Sequence, residues 1–441
     1  MKKIISIALA LLMVAVMLPV MAMADETLQN KIDTAADGAT ITLDKDYTED
    51  ITIDKALTID LNGKKLTNSA GDTITVNANG NLTITGNGTV DNVTHGKAAL
   101  RIKENGKATL NGGYFNRSQE KGKGASESGE NSFYTLINNG ELIINNGAVV
   151  TTASEDSKLG RFSSLIENGF YSHGGSTYYP TLTINGGTFK GGLNTIKNDD
   201  NGITNIYGGK CENYYQACVQ NHHKTTIYNG EFSADVSSAW SIMNCGAKCA
   251  YNENHDAHEL IITNGNFKGN VRANVGKVKI EGGSFEASFT EEGNATIEIS
   301  GGTFNTEVTD YVGENTLVVE NNGTYHVGDA AQNAVQNATS GTFTVKKAKN
   351  DTSLTVKSGV TIVNNSDIAI TVNDKKVPNG ESYTVPGTIT IIVPSEGGNT
   401  TTTPSTDNTK NPGTGANDFV GVAAAMAVVS LLGAAAVIRK K

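Results

Sequence analysis

The sequence predicts an all-β chain wound as a solenoid. Two observations carry that reading. A motif recurs nine times: an alternating apolar strand ending in Ile or Leu, a turn containing Gly, and usually an aromatic residue. Composition agrees, because Gly, at 49 of 441 residues, stands at about 11% against ~7% in ordinary proteins, while Pro, at 7, is scarce. Scarce Pro and the lack of a Gly-X-Y period exclude collagen. Dense Ile, Val and Thr alternation argues against disorder, and Gly and Asn punctuating every segment argue against a helical bundle. A net charge of −10 gives no reason to expect nucleic acid as a partner.

In chain order, Lys2 and Lys3 precede an apolar run from Ile4 to Met21, and Ala22-Met23-Ala24 is a small-x-small cleavage site. Residues 1–24 therefore read as a secretory signal peptide that leaves Asp25 as the mature N-terminus. Within 26–36, Leu28, Ile32, Ala35 and Ala36 recur at helical spacing, and Gly38 ends the run. A short amphipathic helix follows from that spacing, placed to cap the first coil.

The motif copies include LTITGNGTV (82–90), LTINGGTF (182–189), VKIEGGSF (278–285) and IEISGGTF (297–304). Their anchors are Ile84, Leu110, Ile144, Ile184, Ile206, Ile227, Ile262, Ile280 and Ile299, and the shorter spacings fall near twenty residues. A unit of that size is one coil of a solenoid, with too few strands to bury its own apolar face. Stacking coils ~4.8 Å apart closes a continuous core. Phe189 and Phe232 sit at the inward motif position and are core. A second motif, an apolar residue followed closely by Asn, places Asn139, Asn168, Asn198, Asn221 and Asn244 at equivalent corners. Stacked Asn side chains can form a hydrogen-bonded ladder.

The helix, strands and GGxF coils of 26–304 together resemble the right-handed parallel β-helix of the pectate-lyase-like superfamily. They are similar above all to non-catalytic surface proteins with GGTF repeats. The resemblance implies a single-stranded right-handed β-helix over 25–341. Its superfamily includes lyases, hydrolases and adhesins, so activity has to be read from a site. Polysaccharide hydrolases of this fold carry paired Asp, Gly-His-Gly and Arg-Ile-Lys. Here Asp199-Asp200 follows His95-Gly96 and Arg101-Ile102-Lys103 by about a hundred residues, which is the wrong order. Nearly five coils are expected to separate them, too far for two carboxyls to span one glycosidic bond. Asp199 and Asp200 are therefore read as turn residues. No catalytic residue, cofactor or resident metal is expected.

The cysteines are Cys211, Cys218, Cys245 and Cys249. In a secreted chain disulfides are the default, with Cys211–Cys218 and Cys245–Cys249 as the expected pairs. A zinc site with His222, His223, His255 or His258 is the competing reading. The insertions at 151–180 and 245–259 flank consecutive coils and carry Tyr and His. They point to a lateral binding face built from Phe170, Tyr171, Tyr178, Tyr179, Tyr214, Tyr215 and Trp240. Exposed aromatic faces suit sugar rings.

Residues 342–394 form alternating segments that suit a small β-domain or a C-terminal cap. Residues 395–410 are a Thr/Ser/Pro-rich linker. Residues 419–438 are uncharged and long enough, at ~30 Å, to cross a membrane. Arg439, Lys440 and Lys441 follow, and Asn411, Pro412, Gly413, Thr414 and Gly415 stand just upstream. This order of parts over 411–441 resembles the sorting signal of Gram-positive wall-anchored proteins. The resemblance implies sortase as a partner and covalent attachment to peptidoglycan through Thr414, with a transient membrane helix. Asn411 stands where the family usually has Leu, which bears on the sortase class. The expected function is a cell-wall-anchored adhesin or a module binding a glycan or a host or neighbouring surface protein, without catalysis. The alternative is a polysaccharide-degrading enzyme.

Overall fold

A computed structural model describes residues 26–94, 96–118, 133–152, 164–170, 177–234, 239–245 and 258–387. The coil follows directly from the motif spacing. Over residues 39–304 successive turns of chain contribute strands to three sheets, and the strands pair in parallel with their counterparts one turn on. Sheet A runs from Ala39–Thr42 to Thr296–Ile299, sheet C from Ile51–Ile53 to Phe289–Glu291, and sheet B starts at Tyr47–Thr48. This is a solenoid of long parallel sheets, compatible with a β-helix.

The nine expected anchors share one column of sheet A: Ile84, Leu110, Ile144, Ile184, Ile206, Ile227, Ile262, Ile280 and Ile299 pair in unbroken register. All are buried, as alternation with outward Thr, Lys and Glu requires. Sheet B holds the aromatic column. Phe232, Phe267, Phe285 and Phe304 stack with centroids 4.9, 4.6 and 5.1 Å apart. The glycine before each ring has a physical cause. Gly230 has φ +142°, and a Cβ there would stand 2.9 Å from the Phe232 ring; Gly283 has φ +104° and would meet the Gly265 carbonyl at 2.9 Å. Only glycine takes that backbone conformation and leaves room for the ring.

At the N-terminus the helix is Leu28–Thr34, shorter than the 26–36 periodicity. The Thr27 hydroxyl accepts from the Asn30 amide, and Glu49 accepts from the Leu28 and Gln29 amides. These contacts satisfy the donors that a helix start leaves open. Leu28 and Ile32 join the solenoid core. At the other end sheet B turns antiparallel: Gly302–Phe304 pairs with Thr324–Val327, which pairs with Val318–Asn321. A second core of Leu317, Val319, Ala331, Val335, Phe343, Val345, Ile362 and Ile370 gathers there under the helix Asp329–Asn337.

The expected signal peptide, linker, sorting motif and span 419–438 lie outside the described residues. Among the described residues no helix is long and apolar enough to cross a membrane.

Candidate functional site

The corner between sheets C and A is organised by asparagine. Asn138, Asn168, Asn198, Asn221 and Asn244 end successive strands of sheet C in one register and are fully buried. Each amide nitrogen donates to the next carbonyl oxygen, at 2.7, 2.8, 2.9 and 2.7 Å. The ladder therefore exists with one correction: its first member is Asn138, not Asn139. Asn139 lies one residue on, at the corner, where its amide donates to the Gly169 carbonyl at 2.5 Å.

The residue after each ladder Asn forms a second column: Asn139, Gly169, Asp199, His222 and Cys245. The backbone amide of each donates to a carbonyl one coil back, as Asp199 does to Asn168 and His222 to Asn198, both at 2.7 Å. Asp199 and His222 are thus rigidly placed neighbours, one rung apart. Asp200 is tied in by Phe170, whose amide donates to the Asp200 carbonyl at 2.9 Å. Gly169 has φ +125°, and a Cβ there would stand 2.6 Å from the Asp200 carbonyl oxygen, so this close approach requires glycine.

The residue before each ladder Asn faces away from the core. That column reads Ile137, Glu167, Lys197, Gln220 and Met243, continued one rung beyond the ladder at each end by Arg101 and Arg272. Outward residues of a solenoid are ordinarily solvated. Here Glu167, Gln220, Asp199 and Asp200 are each more than nine-tenths buried. Lys197 donates to Asp199 Oδ2 at 2.5 Å and reaches the Tyr134 hydroxyl at 3.4 Å. Asn194, at the far end of the same strand, donates to Gln220 Oε1 at 2.6 Å.

Burial sets the proton chemistry. Loss of water around Glu167, with Asp199 close by, pushes its carboxyl up to about 8. Burial works against the Lys197 charge, but Tyr134, Asp199 and Glu167 outweigh it and hold the ammonium above its usual range. Burial pulls the His222 imidazole down to about 4, against the pull of Asp199. At neutral pH the cluster presents a protonated carboxyl, an ammonium and a neutral imidazole side by side.

Asp199 and Asp200 therefore sit at a turn, as expected, but as buried members of a polar cluster rather than solvated turn residues. Nor are they five coils from Arg101. Three rungs separate Arg101 from Lys197, ~14 Å at strand spacing. Arg101 is itself paired with Asp72 at 2.5 Å.

The aromatic candidates line both margins of sheet C. At the C/A corner stand half-buried Phe170, Tyr178, whose carbonyl accepts from Asn201, and Tyr179, 53% exposed with its ring 5.7 Å from His223. At the B/C margin stand Tyr214, which donates to Glu212 at 2.8 Å, and Tyr215, 38% exposed. Trp240 lies on the sheet with the Arg272 guanidinium 5.0 Å from its ring. Tyr171 lies outside the described residues. A groove of about 700 Å³ bordered by Asn77, Lys103, Asn105, Asn139 and Phe170 continues the C/A corner toward the N-terminus. Sequence reasoning missed Tyr207 and Tyr228, exposed and stacked 4.4 Å apart at the other corner of sheet A.

The cysteines correct another expectation. Cys211 and Cys218 are free thiols, not a disulfide. Cys211 replaces phenylalanine in the sheet B column, between Phe189 and Phe232. Each sulfur lies 3.6 Å from the other residue's carbonyl oxygen. Burial raises the Cys211 thiol well above its usual range, which keeps it protonated and inert. Cys245 is disulfide-bonded, and Cys249, its expected partner, lies outside the described residues. Alkylation of the denatured, unreduced protein should therefore label two thiols, Cys211 and Cys218, by peptide mass spectrometry. Four labelled cysteines, or none, would contradict this assignment.

No protein-family model, curated protein or solved structure matches this chain.

Proposed function

We propose that the protein is a surface-displayed binding module that recognises glycan along the outer face of sheet C. The observation that carries this reading is the coincidence of two features on one face. A desolvated polar cluster sits where a solenoid needs none, and aromatic side chains border it on both margins. Glycan recognition calls for both, apolar rings for sugar faces and fixed donors and acceptors for hydroxyls. In this reading the coil is a right-handed β-helix of the pectate-lyase-like kind. It is secreted through the 1–24 signal and joined to peptidoglycan at Thr414 by sortase. A second reading, a polysaccharide-degrading enzyme, is favoured by Glu167. A carboxyl that keeps its proton near neutrality beside other carboxylates suits general-acid work.

A glycan array probed with the recombinant chain tests the binding reading. Tyr179→Ala and Trp240→Ala are expected to weaken retention of the bound glycan at least ~10-fold, in keeping with lost stacking of ~1.5 kcal/mol or more. Retention of no glycan, or unchanged retention by both variants, removes this reading. Release of reducing ends from a bound glycan, lost in Glu167→Gln, marks the enzyme instead. Anchoring is tested separately: Thr414→Ala should leave the protein in the membrane fraction. Muramidase release of that variant still joined to muropeptide would refute attachment at Thr414.

A further inference from the structure

We propose that Asp199, Asp200 and His222 form a binding site for a divalent cation of the zinc class. The inference is independent of the glycan reading. The three side chains offer ligand atoms that all lie within 4.8 Å of one another. Zinc held at ~2.0–2.1 Å by nitrogen and oxygen sets its ligands ~3.4 Å apart, so side-chain rotations of about an ångström close the set. The backbone needs no adjustment. Asp199 and His222 are fixed on adjacent rungs by amide bonds to Asn168 and Asn198, and Asp200 is fixed by Phe170.

A second observation points to a cation. Asp199 and Asp200 are both more than nine-tenths buried, and the Lys197 ammonium donates to Asp199 Oδ2. Carboxylates this deeply buried beside an imidazole, at positions where a solenoid is ordinarily solvated, suit coordination, since buried charges are paired or hold a metal. Lys197 occupies one oxygen of Asp199. The other, Oδ1, accepts only a long 3.2 Å bond from the Asp200 amide and remains open as a ligand.

The donor set selects the ion. Calcium takes six to eight oxygens, whereas two carboxylates and an imidazole suit zinc with water in the fourth position. The imidazole also distinguishes this set from an all-carboxylate calcium site. The two buried thiols take no part, because Cys211 and Cys218 lie on the core side of the sheets.

The test is calorimetric titration of the tag-free chain, stripped with EDTA, against Zn2+ and separately against Ca2+. One Zn2+ per chain is expected, with a raised melting temperature and no comparable response to Ca2+. Asp200→Asn and His222→Gln should each weaken Zn2+ at least ten-fold, while Cys211→Ser leaves it unchanged. Co2+ loaded in place of zinc should show visible d–d absorption that His222→Gln alters, a signature that lost stability alone would not produce. Absence of stoichiometric Zn2+, a Zn2+ affinity unchanged from the parent in either ligand variant, or a preference for Ca2+ would each overturn the site. The unliganded melting temperatures of the variants separate lost ligation from lost folding.

Discussion

Asn198→Leu is expected to destabilise the solenoid by about 3–6 kcal/mol, because it orphans several buried groups at once. Asn198 Nδ2 donates to the Gly202 and Lys224 carbonyls at 2.9 and 3.0 Å and to Asn221 Oδ1 at 2.9 Å. Its Oδ1 accepts from Asn168 at 2.8 Å and from the Thr204 hydroxyl at 2.7 Å. Leucine has the same branching at Cγ but two bulkier methyl groups and no polar atom. The Asn168 and Asn221 amides keep other partners, but the Thr204 hydroxyl and the Lys224 carbonyl each lose a close one. Each such group costs ~1–3 kcal/mol. Asn139→Ala is the control. That side chain is half-buried and outside the ladder, so its loss should cost under ~1 kcal/mol. Urea midpoints read by circular dichroism compare the two. Equal losses in both variants would mean that the ladder does not begin at Asn138.

Much of this architecture was legible in the chain because the solenoid repeats its own rules. The Ile anchors could be placed without error, since strand alternation and the following glycine fix their phase within each copy. The Asn corner was legible except at its first rung. LINNG offers two adjacent asparagines, and local alternation does not choose between them. The choice is made by the Thr181 carbonyl, 43 residues away, which accepts from Asn138. The thiols misled for a different reason. Cysteine count and an expected oxidising compartment favour a bridge, whereas the coil seats Cys211 in a phenylalanine column where its sulfur faces a carbonyl. The polar cluster left a signal that went unused. Aligning LIEN, TIKN and CVQN on their last asparagine already places Glu167, Lys197 and Gln220 in one column. The same alignment puts Asp199 beside His222. What no alignment could supply is burial, because outward positions on a strand are solvated by default. Only the three-dimensional arrangement reveals charges that have lost their water.

Glu167→Gln should flatten the pH dependence of stability, measured in EDTA. The carboxyl has an ordinary value of 4.5 in the unfolded chain and about 8 in the fold. Below pH 4.5 both states hold the proton, and Glu167 contributes nothing to the dependence. As the pH rises from 4.5 toward 8, the unfolded chain ionises freely while the fold retains its proton. Unfolding is therefore favoured progressively, and the slope vanishes above pH 8. The full difference is on the order of 5 kcal/mol, since each unit is ~1.4 kcal/mol. Even half of that would dominate the acid-to-neutral stability curve of a protein with ordinary stability. Glutamine keeps the shape and cannot ionise, so the variant should match the parent near pH 5 and exceed it by several kcal/mol at pH 9. Urea midpoints across pH 5–9 decide the matter. Parallel curves for parent and variant would mean that Glu167 is solvated and ionised in the fold. The outer face of sheet C would then be an ordinary wet surface rather than a desolvated cluster.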